Sequence, residues 1–372
     1  PCLAVFRSPG EPRVEGYTTL LWTLWMALVH LLSLPELWIA LAVIATGVAL
    51  LAGTGRQVVA LLRHVRASHA AVAIALATTL WCYGLAYWTL RGMEVGLLAC
   101  LLATGTVWLV RFADDGRPRA LGWIAMCAGA ALLTRTDAVV FVVPWIAFAA
   151  LSLRGRRRLL ACGVLVATVV VTLGAHTLFR WAYYGDPLPN TYYLKLGGIP
   201  LASRLVRGLA AAFHLLQVGW FVPLAVAGIA FARPENRLLK LLLAAQVLAG
   251  LAYSIYVGGD AWEQFDIPNR YISPAVPALF ALAALGIDVI ARSAALARVL
   301  ALALVIFAGL QLVMPFLPAT SQTVPAGDGT IHLRIVVEVG FALHLVRRQP
   351  PARWLIGVLL LLATSGERWV DW

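Results

Sequence analysis

Long apolar runs alternate with short polar stretches along almost the whole chain. The runs cover, approximately, residues 37–53, 70–90, 95–110, 120–134, 138–153, 159–179, 209–231, 241–257, 272–291 and 299–317. A membrane-crossing helix needs about 20 residues, with about 17 as a lower bound, so several runs must borrow flanking residues. Two shorter runs, 335–346 and 354–364, follow. The pattern predicts an all-α fold, a polytopic transmembrane helix bundle of about 10–12 spans. It divides the chain into an outer segment 1–36, a bundle over 37–317 and a C-terminal part, 318–372, of an outer loop and weaker spans.

Charge sets the expected orientation. Arg56, Arg63 and Arg66 lie between the first two runs, and alternate connections repeat the theme: Arg111, Arg117 and Arg119; Arg154 and Arg156 to Arg158; Arg233, Arg237 and Lys240; Arg292 and Arg298; Arg347, Arg348 and Arg353. The positive-inside rule makes these cytoplasmic. Glu94, Asp137, Asp186, Asp260, Glu263, Asp266 and Asp328 fall on the opposite, outward side. The run 18–34 breaks this alternation if it crosses. Trp22, Trp25 and His30 are interfacial residue types and Pro35 ends the run, so it reads as an outer-surface juxtamembrane helix. An ordinary span beside an atypical loop is the alternative.

Composition agrees with lipid as the solvent. Apolar residues make up 62% of the chain and charged residues 12%, against about 25% charged in soluble domains. The net charge of +12 sits in short inter-span clusters, which argues for topology and against nucleic acid as a partner. Cys82, Cys100, Cys127 and Cys162 occur singly inside apolar runs and Cys2 stands outside them, so neither a zinc site nor a disulfide framework is expected. No internal repeat of the kind found in many transporters is visible.

The candidate chemistry lies in the outward stretches, chiefly loops 180–208 and 258–271. Glu15, in EPRVEGYTTLLW, precedes the juxtamembrane helix and reads either as a carboxylate near a site mouth or as a helix-start acid. Arg91 and Glu94 read as a site carboxylate with its partner or as a helix-terminal ion pair. Arg135 and Asp137 are the only charges between two spans; ionisable groups at that depth cost a few kcal/mol, and an arginine there suits a phosphate oxygen. In RWAYYGDPLPNTYYLKLGG, Tyr184, Asp186, Asn190 and Tyr192 offer hydrogen bonds to a hydroxylated ligand, and Lys195, one of only two lysines, suits a lipid phosphate. In YVGGDAWEQFDIPNRYISP, Asp260, Glu263, Asp266 and Arg270 crowd beside two glycines, with Trp262 able to stack on a sugar. The paired acids suit a divalent cation, though no cofactor is required.

EGYT-x-LW, GME, TR-x-D, YYGDPLPNTYYLK and GGD-x(9)-RY, in that order, resemble the bacterial GT-C membrane glycosyltransferases. The nearest resemblance is to the family of terminal β-arabinofuranosyltransferases and proteins labelled flagellar motor control proteins. It extends over nearly the whole chain. It implies a multi-pass protein of the bacterial inner membrane with its active face outward. The implied donor is a sugar on a polyprenyl phosphate, and the implied acceptor a cell-envelope glycan. Thr136 and Ala138 replace Pro and Gly of the family's Thr-Arg-Pro-Asp-Gly stretch, and Thr19 replaces a common Asn.

The family also places its catalytic Asp in an outer loop that would precede residue 1, so the chain is expected to be a fragment. Asp260 and Glu15 stand in as candidate catalytic carboxylates, with Arg135, Arg270 and Lys195 as cations for the leaving phosphate. A non-catalytic or transport protein, such as a lipid-linked-oligosaccharide flippase or an assembly factor, is the alternative, and a ligase or polymerase of whole glycans a third reading. A flippase is expected to line its path with intramembrane charges, whereas only Asp288 and Glu338 lie within apolar stretches.

Overall fold

A computed structural model describes residues 5–6, 14–260, 267–313, 339 and 342. Each of the ten main apolar runs becomes a helix or a broken pair of helices. They are α2 (Glu36–His64), α3 (His69–Trp81) with α4 (Tyr83–Leu90), α5 (Val95–Asp115), α6 (Pro118–Thr134), α7 (Val139–Ser152), α8 (Gly155–Tyr184), α10 (Leu201–Leu215) with α11 (Phe221–Ile229), α12 (Arg237–Val257), α13 (Val276–Ile290) and α14 (Ala294–Val313). Before them comes α1 (Leu20–Leu31), and a short α9 (Asn190–Leu196) links α8 to α10. Among the described residues the only strands are a two-residue antiparallel pair, β1 (Val5–Phe6) and β2 (Val14–Glu15). The protein is a multi-span helical membrane protein.

Five helices are long and apolar enough to cross a membrane alone, six if the pair α3–α4, bent by 47°, is one span. Helix α14 is 20 residues long, but the other apolar helices run to 17 residues at most, so they rise no more than about 26 Å against a hydrocarbon core of about 30 Å. Thus 10–12 full-length spans are not what the described helices provide. The weaker runs 335–346 and 354–364 fall almost wholly outside the described residues, as does the C-terminal part 318–372.

Burial sorts the spans. The apolar window of the helix over Ser273–Ile290 is 94% buried, whereas those of α2 and α8 are 22% and 17% buried. A helix apolar on every face is stable only when protein surrounds it or lipid does, so α13 is the axis of the bundle and α2 and α8 face lipid. Close approach between helices needs small residues: a Cβ on Gly286 of α13 would collide with the Val226 backbone of α11, and one on Gly105 of α5 with the Trp145 ring of α7.

The connections gather at two ends. Those after α2, α5 and α7 and the α13–α14 turn meet at one. There His64 pairs with Asp114 at 2.6 Å, Gly116 abuts Arg157, and Asp288 accepts from Ser68. At the other, Trp22 Nε1 donates to Gly92 O, Trp88 Nε1 donates to Pro268 O, and Arg135 reaches Glu94. The basic connections therefore share one end and the acidic, aromatic ones the other. Helix α1 belongs to the second end throughout. It starts beside Gly92, and the chain then enters α2, whose Val43 packs against the same Gly92 before the helix runs to His64. It does not cross the bundle, as its interfacial residues predict.

The stretch 180–208 is not an extended loop. Residues 180–184 complete α8, Gly185 closes it at φ 77°, and Pro189 and Pro200 start α9 and α10. A proline at a helix start loses no intrahelical hydrogen bond, which is why a proline-rich stretch holds two helices. Helix α10 then continues through a π-turn at Leu216–Trp220 into α11.

Candidate functional site

A partly open cavity of ≈ 340 Å³ lies at the acidic, aromatic end. The turn Arg135–Asp137 forms its floor, Leu173, Thr177 and Arg180 of α8 one wall, and Tyr253, Val257 and Tyr271 the other. Thr18 and residues 187–192 complete the lining. The wall on α8 runs directly into that helix's lipid-facing surface, where Val170, Val171 and Leu178 are exposed.

Three ion-pair groups surround this space. In the first, Arg135 donates from Nε and Nη2 to both oxygens of Asp137, at 2.9 and 2.6 Å, and from Nη1 to Glu94 at 2.6 Å. Its guanidinium lies over the Tyr271 ring, 5.1 Å from the centroid. The side chains of Arg135 and Glu94 are only 10% and 6% exposed, so each charge depends on the others for solvation. Glu94 thus pairs with an arginine 41 residues away, while Arg91 stacks over Tyr87.

In the second, Arg270 donates from Nε and Nη2 to the two oxygens of Asp260, at 2.8 and 3.0 Å. Burial alone would lower the Arg270 pKa; the Asp260 carboxylate outweighs it and raises the value. Local structure fixes this arginine. Asn269 Oδ1 accepts from the Tyr271 and Ile272 amides and its Nδ2 donates to Ser254 Oγ, while Ser273 Oγ and Trp88 Nε1 both donate to Pro268 O. Gly258, at φ 87°, ends α12 and turns the chain towards Asp260, a conformation that glycine adopts without strain.

In the third, Glu15 Oε2 accepts from Arg180 Nε at 2.8 Å, and Glu15 Oε1 lies 4.0 Å from His176 Nε2. All three side chains are 2–4% exposed. Burial raises the Glu15 carboxyl above its usual range, opposed by the hydrogen bond and charge of Arg180. Beside it Tyr184 Oη donates to Tyr17 Oη at 3.4 Å, and burial, followed by Tyr184, pushes the Tyr17 phenol up.

The expected site residues divide accordingly. Arg135, Asp137 and Tyr192 line the cavity. Glu94, Glu15, Asp260, Arg270 and Tyr184 lie in the surrounding groups. Asp186 accepts from the Leu188 amide and the Tyr193 hydroxyl and so stabilises the turn into α9. Asn190 is the exposed first residue of α9, and Lys195 falls on the same helix with its side chain outside the described residues. Trp262, Glu263 and Asp266 are also outside them. Of the acids considered for a divalent cation, Asp260 gives both oxygens to Arg270. Among the described residues no group of three or more His, Cys, Asp or Glu side chains is placed to hold a metal ion.

Sequence reasoning missed Arg180, His176 and Tyr253. His176 and Arg180 are four apart at the end of an otherwise apolar helix, and ionisable groups placed so are expensive unless they face protein. That spacing was the available signal. No family model matches the chain, and no curated protein matches it.

Proposed function

We propose that the protein is a GT-C-type membrane glycosyltransferase. On this reading it moves a sugar, arabinofuranose by resemblance, from a polyprenyl-phosphate donor to a cell-envelope glycan at the outer face of the bacterial inner membrane. The observation that carries the reading is the cavity itself. It combines charged and tyrosine side chains with an α8 wall continuous with lipid-facing surface. A donor with a polar sugar phosphate and a long apolar tail needs both in one place.

The reaction joins an acceptor oxygen to the anomeric carbon while the bond from that carbon to the phosphate oxygen breaks. The acceptor proton passes to a carboxylate, and the polyprenyl phosphate leaves with the bonding electrons. Charge grows on the phosphate in the transition state, where fixed cations act most strongly. Arg135, which lines the cavity, commits three of its five donors to Asp137 and Glu94, which leaves two N–H groups for a ligand. Arg270 and Lys195 are the further candidates. Of the two candidate bases, Asp260 is held at both oxygens by Arg270, whereas Glu15 keeps one oxygen without a partner among the described residues. Glu15 is therefore the better placed to accept a proton. The basic end faces the cytoplasm on this reading.

The test is transfer of labelled sugar from a synthetic polyprenyl-phosphate donor to an arabinan-type acceptor by the full-length protein in liposomes. Product is expected, and its loss in both Arg135→Ala and Lys195→Ala. Wild-type rates in both variants contradict the phosphate roles. Movement of donor across the bilayer without any product contradicts transfer and favours a lipid-linked-sugar transporter.

A further inference from the structure

The polar atoms of the third group are not all satisfied. Among the described residues, Glu15 Oε1, both ring nitrogens of His176 and Arg180 Nη2 are buried with no hydrogen-bond partner. Buried polar atoms are nearly always paired, and leaving one unpaired costs roughly 1–3 kcal/mol. Four such atoms on three neighbouring side chains amount to a large cost with no return inside the protein. Arg180, itself 3% exposed, also lines the cavity. Arg180 therefore connects the unpaired atoms of Glu15 and His176, which lie behind it, to the space in which a ligand is proposed to bind.

Geometry and charge narrow what fits. Glu15 Oε1 and His176 Nε2 are 4.0 Å apart, too far to bond each other. One oxygen set about 2 Å to the side of the line joining them would lie about 2.8 Å from both, a hydrogen-bond distance. The group pairs one carboxylate with one guanidinium and adds a neutral-capable imidazole, so it carries no surplus positive charge for a phosphate. A hydroxyl suits it: its proton goes to Glu15 Oε1, and its lone pairs accept from Arg180 Nη2 or from His176 in the tautomer protonated at Nε2.

We infer that Glu15, His176 and Arg180 form a hydroxyl-binding subsite entered from the cavity past Arg180, which takes one hydroxyl of a sugar or other polyol. This rests on the glycosyltransferase reading for the identity of the sugar, but not for the existence of the subsite. Within that reading it is the acceptor subsite, because a hydroxyl held there presents its proton to Glu15.

The experiment measures binding of methyl arabinofuranoside and of its fully O-methylated counterpart by saturation-transfer NMR, with the protein in nanodiscs. Wild type is compared with His176→Leu. The His176 nitrogens have no described protein partner, so leucine removes no protein hydrogen bond and the thermal midpoint should hold. The hydroxylated probe is expected to bind wild type, to bind H176L at least about tenfold more weakly, roughly one hydrogen bond's worth, and to lose binding when O-methylated. Arg180→Lys is the second variant; it keeps the charge beside Glu15 and should weaken the probe comparably. Unchanged probe affinity in both variants, or equal binding of the O-methylated compound, overturns the subsite. So does a fall in H176L stability with affinity intact, which marks a structural water site. Probe binding without sugar transfer in the liposome assay leaves the subsite standing and removes the glycosyltransferase reading instead.

Discussion

At the basic end of the bundle, His64 and Asp114 pair with side chains 30% and 65% exposed, and Arg117 meets its near neighbour Asp115 at 80% and 40% exposed. At the opposite end, Arg135 joins Glu94 and Asp137 with none of the three more than 18% exposed, and Arg180 meets Glu15 across 165 residues of sequence. Both ends use arginine and carboxylates. At the basic end these pairs remain in water and work through topology, as the positive-inside rule describes, while the buried Lys240 and Asp288 bind backbone carbonyls and Ser68, respectively. At the other the paired charges are withdrawn from water and must be solvated by each other. An ionic cluster in a membrane protein is thus informative according to its burial more than its composition.

This contrast is open to attack by mutation. The largest effect is expected for Arg135→Ala, which leaves the buried Glu94 and the half-buried Asp137 without their shared cation. Breaking such a group costs about 3–5 kcal/mol, so the thermal midpoint in detergent should fall sharply, and Arg135→Lys should recover only part of it because lysine lacks the planar fork. Next comes Gly208→Val on α10. A Cβ at Gly208 would strike the Ile255 backbone of α12, and overpacking of this kind costs about 1–3 kcal/mol. A smaller loss is expected at the basic end for Asp288→Asn. Its carboxylate accepts from the Ser68 amide, 2.8 Å away, and from the Ser68 hydroxyl, and weakening such a cap costs about 1 kcal/mol. Arg117→Ala should leave the midpoint unchanged, since exposed pairs contribute little. A large loss in Arg117→Ala, or none in Arg135→Ala, breaks the comparison.

Much of this was legible in the sequence. Apolar run length gives the helices, and Trp22, Trp25, His30 and Pro35 mark α1 as lying at one end. Arg135 and Asp137 stand out because charge between two spans is costly. What the sequence could not show was pairing at a distance. Glu94 has an arginine three residues away, yet its described partner is Arg135. Asp288 looks like an intramembrane charge, but it caps the start of α3 from the end of α13. Glu15 reads as a surface acid, and only the packing of β2 against α8 buries it beside Arg180. Local pattern specifies elements, whereas such pairings depend on how the elements pack. The proline-rich stretch 180–208 failed for a different reason: its prolines start helices instead of breaking them.

The most direct test of the central claim compares sugar transfer by variants at the two ends. Full-length protein in liposomes is given labelled polyprenyl-phosphate sugar and a glycan acceptor. Asp137→Asn and Glu15→Gln represent the buried end, and Asp114→Asn and Arg117→Ala the basic end. The predicted result is product from wild type and both basic-end variants, with transfer lost in both buried-end variants that remain folded. Transfer at wild-type rates from folded Asp137→Asn and Glu15→Gln protein would contradict the assignment of the chemistry to that cavity.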